Sequence, residues 1–399
     1  MNFPDVRPDG RFPLSRRNIL RGLGAGMVLS VGGGWVTAGQ AQAQSPANPW
    51  GGWQALPDAT AHPDPRVRAV AYGILCPNAQ NLQPWRIRLV GDDTMLLYMD
   101  LSRRLPVSDL PDRQLTVSFG TFTELARVGA TVDGYRLEIT PFPEGEPEAT
   151  LDARPLASIR FVSDAAVSRD QLVDQVLVRS TNRTPFDRTR KVTPEQIAQL
   201  KAAAVNRDRV QGTADPAQVE RIRDIVHRAY VTAMGHEGYR RELINYTRIG
   251  RAEAVSYAWG PASLGPAIEQ GLADGTLVRS ALEDPESERF QAGMASYLAA
   301  LDTAVGYVWV LMPDNSRRSM FDGGREWARL HLNITAAGLK LQPHSQSLMD
   351  FAEIEPLKAE IHNAVGAKAP ERLQMLGRIG YASDAPHSPR EPISARLLA

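Results

Sequence analysis

Two stretches of this chain follow one pattern. GTFTELARVGATVDGYRLEI begins at Gly120 and GREWARLHLNITAAGLKLQP begins at Gly324, an offset of 204 positions (324 minus 120). Each carries a threonine eleven positions on (Thr131, Thr335), a glycine fourteen on (Gly134, Gly338) and a leucine seventeen on (Leu137, Leu341). Both read as an amphipathic helix, a glycine C′ cap and a strand. A chain that repeats such a unit is expected to build two related halves, each a helix-plus-antiparallel-sheet α+β unit, fused into an internal pseudo-dimer. Chance likeness of two helix–glycine–strand units is the competing reading.

The 399 residues, 43% hydrophobic and 23% charged, suffice for one large core or two ordinary ones. With 45 basic and 45 acidic residues, the chain lacks the basic footprint of a nucleic-acid binder. A single cysteine, Cys76, excludes a disulfide framework and a zinc site built from several thiolates. The seven histidines show no HExxH spacing, so no metal site is expected.

At the N-terminus, Ser15-Arg16-Arg17-Asn18-Ile19-Leu20-Arg21 precedes the uncharged LGAGMVLSVGGGWVTAG and a small-residue site around Ala41-Gln42-Ala43. This is the pattern of a twin-arginine export signal over residues 1–44. Gly22-Leu23-Gly24-Ala25-Gly26 within it has no preceding strand and is not read as a dinucleotide loop. No later uncharged stretch approaches the roughly 20 residues a membrane span requires. The expected location is periplasmic or secreted, with the twin-arginine machinery as a partner. That route moves folded proteins, which raises the expectation of a cofactor inserted before export.

The first half is placed at 45–164 and the second at 165–399, with a helical insertion at about 236–285 as a lid. Residues 45–65 read as an extended strap. Strands are expected at Trp85–Val90 and Thr94–Asp100 around the turn Gly91-Asp92-Asp93, and at Tyr135–Ile139 and Ala157–Val162. Helical spacing covers Arg66–Leu75, Gln114–Val132, Arg169–Val178, Tyr297–Met312 and Gly324–Ala337, with a loop at Asn315–Asp322.

ILCPNAQNLQPWRIRL, residues 74–89, sets Asn78, Gln80, Asn81 and Gln83 between prolines, just before a strand. Such amides both donate and accept hydrogen bonds, more than a plain loop requires. The stretch resembles the PS-x-x-N-x-QPW segment of FMN-dependent nitroreductases. Arg179-Ser180-Thr181-Asn182-Arg183-Thr184-Pro185-Phe186, with Val192-Thr193-Pro194-Glu195 after it, resembles their RRS-x-R-x-F … V-x-x-E segment. Gly338–Pro343 is similar to their flavin-facing glycine–leucine turn, and Arg378-Ile379-Gly380-Tyr381 with Ser388–Pro392 to their C-terminal end. The order of the segments is reversed relative to a typical nitroreductase. With the fused halves and the length, that order resembles the Acg-like subgroup. Pro77-Asn78 departs from the family's Pro-Ser, and one QPW and one RSTNR segment are present. A single FMN at the junction of the halves is therefore expected.

The resemblance implies that Arg179, Arg183 and Arg390 hold the FMN phosphate, with Ser180 and Thr181 in the same segment. For each arginine alone, a surface salt bridge is the alternative. Asn81 and Gln83 would read the ring edge, while Pro84 fixes the backbone and Trp85 enters the core. Gln342, Pro343 and His344 would lie near flavin N5, His344 alternatively serving as a capping residue. The implied reaction is ping-pong transfer through N5 to a nitroaromatic, quinone or enone, with no side chain as an essential acid. An exported compartment holds no nicotinamide pool, which argues against NAD(P)H as the donor there. The alternatives are a protein that binds or sequesters FMN without turnover, and a scaffold without cofactor.

Overall fold

The computed structural model describes residues 48–59 and 62–398. The expected export signal, residues 1–44, lies outside the described residues. The chain opens with α1 (Gly51–Ala59) and α2 (Pro65–Gly73). The Pro/Gly/Trp-rich strap is thus partly a helix, and it is pinned: Trp50 and Trp53 donate their indole N–H groups to the carbonyls of His387 and Ser388. Asp64 caps α2, accepting from Arg66 N at 2.8 Å ahead of a first-turn proline.

Next come β1 (Trp85–Val90), β2 (Thr94–Met99), α3 (Arg113–Ala130), β3 (Tyr135–Pro141) and β4 (Ala157–Ser163). They form an antiparallel sheet in the order β1-β2-β4-β3. β2 alternates buried and half-buried residues along its length, the period of a strand with one covered face. The second half holds α4 (Pro194–Ala202), β5 (Val210–Thr213), α5 (Pro216–Gly235), α6 (Glu237–Tyr246), β6 (Arg248–Ile249), α7 (Gly250–Ser256), β7 (Ala262–Ser263), α8 (Pro266–Ala273), α9 (Arg279–Glu283) and α10 (Glu288–Leu301). It continues with β8 (Gly306–Met312), α11 (Arg317–Ala336), β9 (Lys340–Pro343), α12 (Glu355–Ala364) and β10 (Arg372–Gly380). Its antiparallel sheet runs β5-β8-β10-β9. Setting β5, β8, β9 and β10 against β1, β2, β3 and β4 gives one topology twice, with α3 and α11 in equivalent places. Everything between β5 and β8 is insertion; β1 and β2 are joined there by a tight turn.

α3 and α11 cross where the two echoed stretches begin. A Cβ on Gly120 would stand 1.9 Å from the Phe321 carbonyl oxygen, and one on Gly324 2.1 Å from the Val117 carbonyl oxygen. Adding or subtracting 204 turns one contact into the other, which is how an isologous dimer interface behaves. Gly134 and Gly338, the echoed caps, both take φ of +71°. The C-terminal tail also reaches back to the first sheet. Leu397 bridges β1 at Ile87, and Thr181 bridges β9 at Leu341, both in parallel.

Three expectations are corrected. Tyr297–Met312 is not one helix: α10 stops at Leu301 and β8 takes over, every residue of it buried. A strand covered on both faces shows no alternation, so its apolar run imitates a core helix. The helix at Arg169–Val178 is a 3-10 turn, Gln171–Gln175, so Arg179–Arg183 lie in a loop rather than on a helix face. The loop at Asn315–Asp322 gives way at Ser316, whose hydroxyl caps α11 by accepting from Ser319 N.

Candidate functional site

The loop after α2 carries Gln80, Asn81 and Gln83 with φ of 43°, 54° and 51°, a left-handed cluster that non-glycine residues hold only when surroundings enforce it. The enforcement comes from α3. Ser118 Oγ accepts from Ala79 N at 2.9 Å and Thr121 Oγ1 donates to Pro77 O at 2.6 Å. Within the loop, Asn78 Oδ1 accepts from Gln83 N at 2.9 Å.

The amides reach outward from this platform. Asn81 Nδ2 donates to Gly260 O and to Pro389 O, each at 3.0 Å, while Asn81 Oδ1 accepts from Arg390. Gln83, fully buried, donates to Ala258 O at 2.8 Å and accepts from Glu391 N at 2.9 Å. Both amides therefore tie the insertion and the C-terminal tail to the first half. Pro84 is buried beside them, its carbonyl accepting from Asp100 N, and Trp85 packs on Phe122 with ring centroids 5.2 Å apart.

Between this loop, α3, the segment after Arg179 and the insertion lies a cavity of about 200 Å³. Asn81, Arg179, Ser180, Thr181 and Arg183 line it, with Pro343 and Arg390. Among the described residues no aspartate or glutamate does. Arg179 and Arg390 are 3% and 4% exposed, and among the described residues neither forms an ion pair with a carboxylate. Arg390 donates from Nε to Ile74 O at 3.1 Å and from a terminal nitrogen to Cys76 O at 2.9 Å; Arg179 reaches Leu75 O at 2.9 Å. These carbonyls end α2, where the helix dipole is negative. Arg390 also donates to Asn81 Oδ1 and to Pro389 O, so both buried cations meet only neutral acceptors among the described residues. Burial pushes Arg390 down to about 9 and Arg179 down to about 10, with the charge of Arg179 adding to the effect on Arg390. Arg179 Nε has no hydrogen-bond partner among the described residues.

Arg183 lines the same cavity in other company. After burial, which lowers its pKa, the groups acting on it are Tyr297, Tyr230 and Tyr239. The structure thus brings Arg179 and Arg390 together and sets Arg183 among phenols. Gln342 and His344 are buried behind the wall formed by Pro343. Gln342 bridges Arg378 and Tyr297, and among the described residues both ring nitrogens of His344 lack hydrogen-bond partners. Burial holds His344 well below its usual range, helped by Arg378 and Arg183. Cys76 is buried too, its thiol pushed up to about 11.

Sequence reasoning missed the aromatic walls. Tyr230 and Tyr297 stack at 3.8 Å, 13° from parallel, and Trp53 stacks on His387 at 3.8 Å and 6°. Only their clustering in apolar helices and around the tail signals them, and helices of any core show that. Among the described residues no group of three or more histidines, cysteines or carboxylates could hold a metal, and no helix is long and apolar enough to cross a membrane.

No family model matches the chain. Over 122 residues it is 30% identical to two uncharacterised proteins of Mycobacterium tuberculosis, MT3212 of strain CDC 1551 / Oshkosh and Rv3127 of strain ATCC 25618 / H37Rv. That match spans 30% of this chain and 35% of each relative. Among solved structures it is similar to a nitroreductase-like family protein from Bacillus cereus, at 13% identity and TM-score 0.32 over 59% of this chain and 98% of the other. It is similar also to the FMN-dependent nitroreductase NfnB from Mycobacterium smegmatis in complex with NADPH, at 17% identity and TM-score 0.35 over 57% and 98% of the two chains. The FMN and NADPH-dependent NfnB from sphigopyxis sp. strain HMH gives 15% identity and TM-score 0.37 over 58% and 99%.

Proposed function

We propose that the chain binds FMN in the cavity between its halves and acts as an oxidoreductase of nitroreductase type on a small organic acceptor: a nitroaromatic, quinone or enone. One observation carries the reading: among the described residues no acid lines the cavity, and its two buried guanidiniums, Arg179 and Arg390, meet only neutral acceptors. A phosphomonoester brings about −1.5 to −2 charges at neutral pH and three strong acceptor oxygens, which matches that pair and the unpartnered Arg179 Nε. We place the phosphate there, with Ser180 and Thr181 beside it. Apart from Arg183, the rest of the lining is hydroxyl, amide, aliphatic and aromatic, suited to an uncharged ring system.

FMN supplies the redox chemistry when bound. The chain's own residues fix the phosphate, wall the site and exclude water. The cavity is smaller than the roughly 300–1,000 Å³ of ordinary ligand sites. A flavin-sized ligand therefore enters only as the rim of Trp53, His387 and the insertion gives way. That same narrowness supports a second reading, a protein that holds FMN without turnover.

The test is an absorbance scan near about 450 nm, where oxidised flavins absorb, after incubation with FMN. Flavin uptake is expected, and a marked loss of it in Arg179→Met. Wild-type protein that takes up no flavin overturns the proposal. Anaerobic addition of NADPH and then a nitroaromatic separates the two readings: bleaching and recovery indicate turnover, a flavin that no reductant bleaches indicates holding. We further infer export by the twin-arginine route to the periplasm or beyond, and a donor there other than NAD(P)H.

A further inference from the structure

We propose that the N-terminal strap, residues 49–53, is the positioning element of the phosphate site, with Gly52 and Trp50 as the residues through which it sets Arg390. This role rests on the reading of Arg390 as a phosphate ligand.

Arg390 lies in a segment without regular structure: residues 381–392 form neither helix nor strand. A side chain on such a segment is aimed only if its backbone is held from outside. The strap supplies the hold. Arg390 N donates to Pro49 O at 2.7 Å, and Arg390 O accepts from Gly52 N at 3.1 Å. Both main-chain polar groups of the arginine are thus taken by the strap. Just ahead, Trp50 Nε1 donates to His387 O at 3.0 Å and Trp53 Nε1 to Ser388 O at 2.8 Å. Pro389, between them and the arginine, gives its carbonyl to Asn81 at 3.0 Å.

Gly52 does not have a left-handed backbone, so space alone calls for glycine there. A Cβ on it would stand 2.7 Å from Arg390 Cβ and 2.7 Å from the Glu391 carbonyl oxygen. One obstacle is main chain and the other is bonded to it, so no rotamer clears them. The Arg390 backbone would have to retreat by 0.3 to 0.7 Å (3.0 or 3.4 minus 2.7). A guanidinium reads a phosphate through paired, directional hydrogen bonds, and a binding constellation tolerates displacements of about 0.5 Å. The retreat is of that size.

Arg179 stands outside this hold. Its N–H donates to Gln175 O at 2.8 Å, within its own turn. Gly52 and Trp50 do not line the cavity, so a disturbed strap reaches a ligand only through the tail. Disturbing it weakens one of two phosphate cations and spares the walls that would face a ring.

A flavin without its phosphate is therefore the discriminating probe. Wild type, Gly52→Ala and Trp50→Phe are titrated with FMN and with riboflavin, binding being read from flavin fluorescence. Gly52→Ala should lower the FMN-to-riboflavin affinity ratio by ~10- to 100-fold, the range of a charge-assisted hydrogen bond. Trp50→Phe should lower it in the same direction by less. A strap that only stabilises the fold would weaken both flavins together, so a folded Gly52→Ala protein with the wild-type ratio overturns the proposal. Equal affinity of wild type for the two flavins overturns it too, because Arg390 then holds no phosphate. If Gly52→Ala does not fold, Trp50→Phe decides by the same ratio. If wild type binds neither flavin, the flavin reading fails, and inorganic phosphate takes the place of FMN. A phosphate-dependent rise in melting temperature that is smaller in the variants than in wild type then sustains the strap's role, and no difference overturns it.

Discussion

Replacing Gly120 with alanine probes the pseudo-dimer at its tightest point. The added Cβ would lie 1.9 Å from the Phe321 carbonyl oxygen, where contacts below 3.0 Å essentially never occur. The helices must part by at least 1.1 Å (3.0 minus 1.9) at that point. At Gly324 the same sum is 0.9 Å (3.0 minus 2.1). The obstacle is a backbone carbonyl inside α11, so no rotamer change relieves it. Opening a gap of 0.5–1 Å forfeits about a quarter to a half of each contact's attraction, and overpacking costs ~1–3 kcal/mol. A rigid obstacle places this case near ~3 kcal/mol. Alanine's better helix propensity returns ~1 kcal/mol, leaving ~2 kcal/mol. That lowers the melting temperature by ~4–8 °C at ~2–4 °C per kcal/mol. Gly338→Ala is the control: φ there is +71° and nothing lies within 4 Å of the new carbon, so only ~1 kcal/mol of backbone strain is added. Thermal unfolding by circular dichroism reads both. Flavin uptake should fall with Gly120→Ala alone, because α3 and α11 both wall the cavity. A Gly120→Ala protein that melts no lower than Gly338→Ala would refute the crossing.

Further outcomes are expected elsewhere. His387 is lowered from 6.5 to about 4 by burial and by the charges of Arg179 and Arg390. Its neutral form is the folded one, so its contribution is present above pH ~6.5 and is lost as pH falls through about 4. At ~1.4 kcal/mol per pH unit that is at most ~3 kcal/mol. The drop in urea midpoint between pH 7 and pH 4 should shrink in His387→Phe, which keeps the stack on Trp53; an unchanged drop refutes the assignment. Asn81→Ala unties Gly260, Pro389 and Arg390 at once, and limited proteolysis should then cut faster within 257–261 while the rest stays resistant. Replacing Arg16 and Arg17 with lysine should retain the chain in the cytoplasm, and undiminished export, seen by cell fractionation, would sink the export signal.

The doubled architecture was legible because the positions that make it possible cannot vary freely. Gly120 and Gly324 stand where two backbones touch, and Gly134 and Gly338 adopt a left-handed conformation, so a pattern of glycines survives in both halves. The strands of the first sheet were legible through alternation, and β8 was not, because it has no exposed face. The arginines of the site were legible as residue types in a motif. The work of Asn81 and Gln83 was not, since their partners lie 179 and 308 positions away for Asn81 and 175 and 308 for Gln83. Local sequence shows that an amide needs partners; it does not show whether a ligand or a distant carbonyl supplies them.

The pseudo-twofold also implies a second place for such a site; a cavity of about 420 Å³ lies there, lined by Arg127, Asp170 and Arg329, but its charges are already paired. Adding 204 to the cavity-facing positions Gln114, Val117, Ser118 and Thr121 of α3 gives Arg318, Phe321, Asp322 and Arg325 of α11. Apart from the apolar Val117 and Phe321, the first set is neutral and polar, and the second is charged and self-satisfied. Arg318 pairs with Asp322 at 2.7 Å, and Arg325 reaches Asp322 at 3.8 Å and Glu124 at 3.5 Å. Glu124, fully buried, also takes Arg127 at 2.7 Å and Arg329 at 3.4 Å, and Asp170 takes both of those arginines. A buried carboxylate survives only with such partners. Each of these cations at the second place thus has an anion of the chain's own, whereas among the described residues Arg179 and Arg390 have only backbone carbonyls and the Asn81 amide oxygen. An anionic ligand gains from uncompensated charge, so selection between two equivalent places falls to the one where the chain left its arginines without acids.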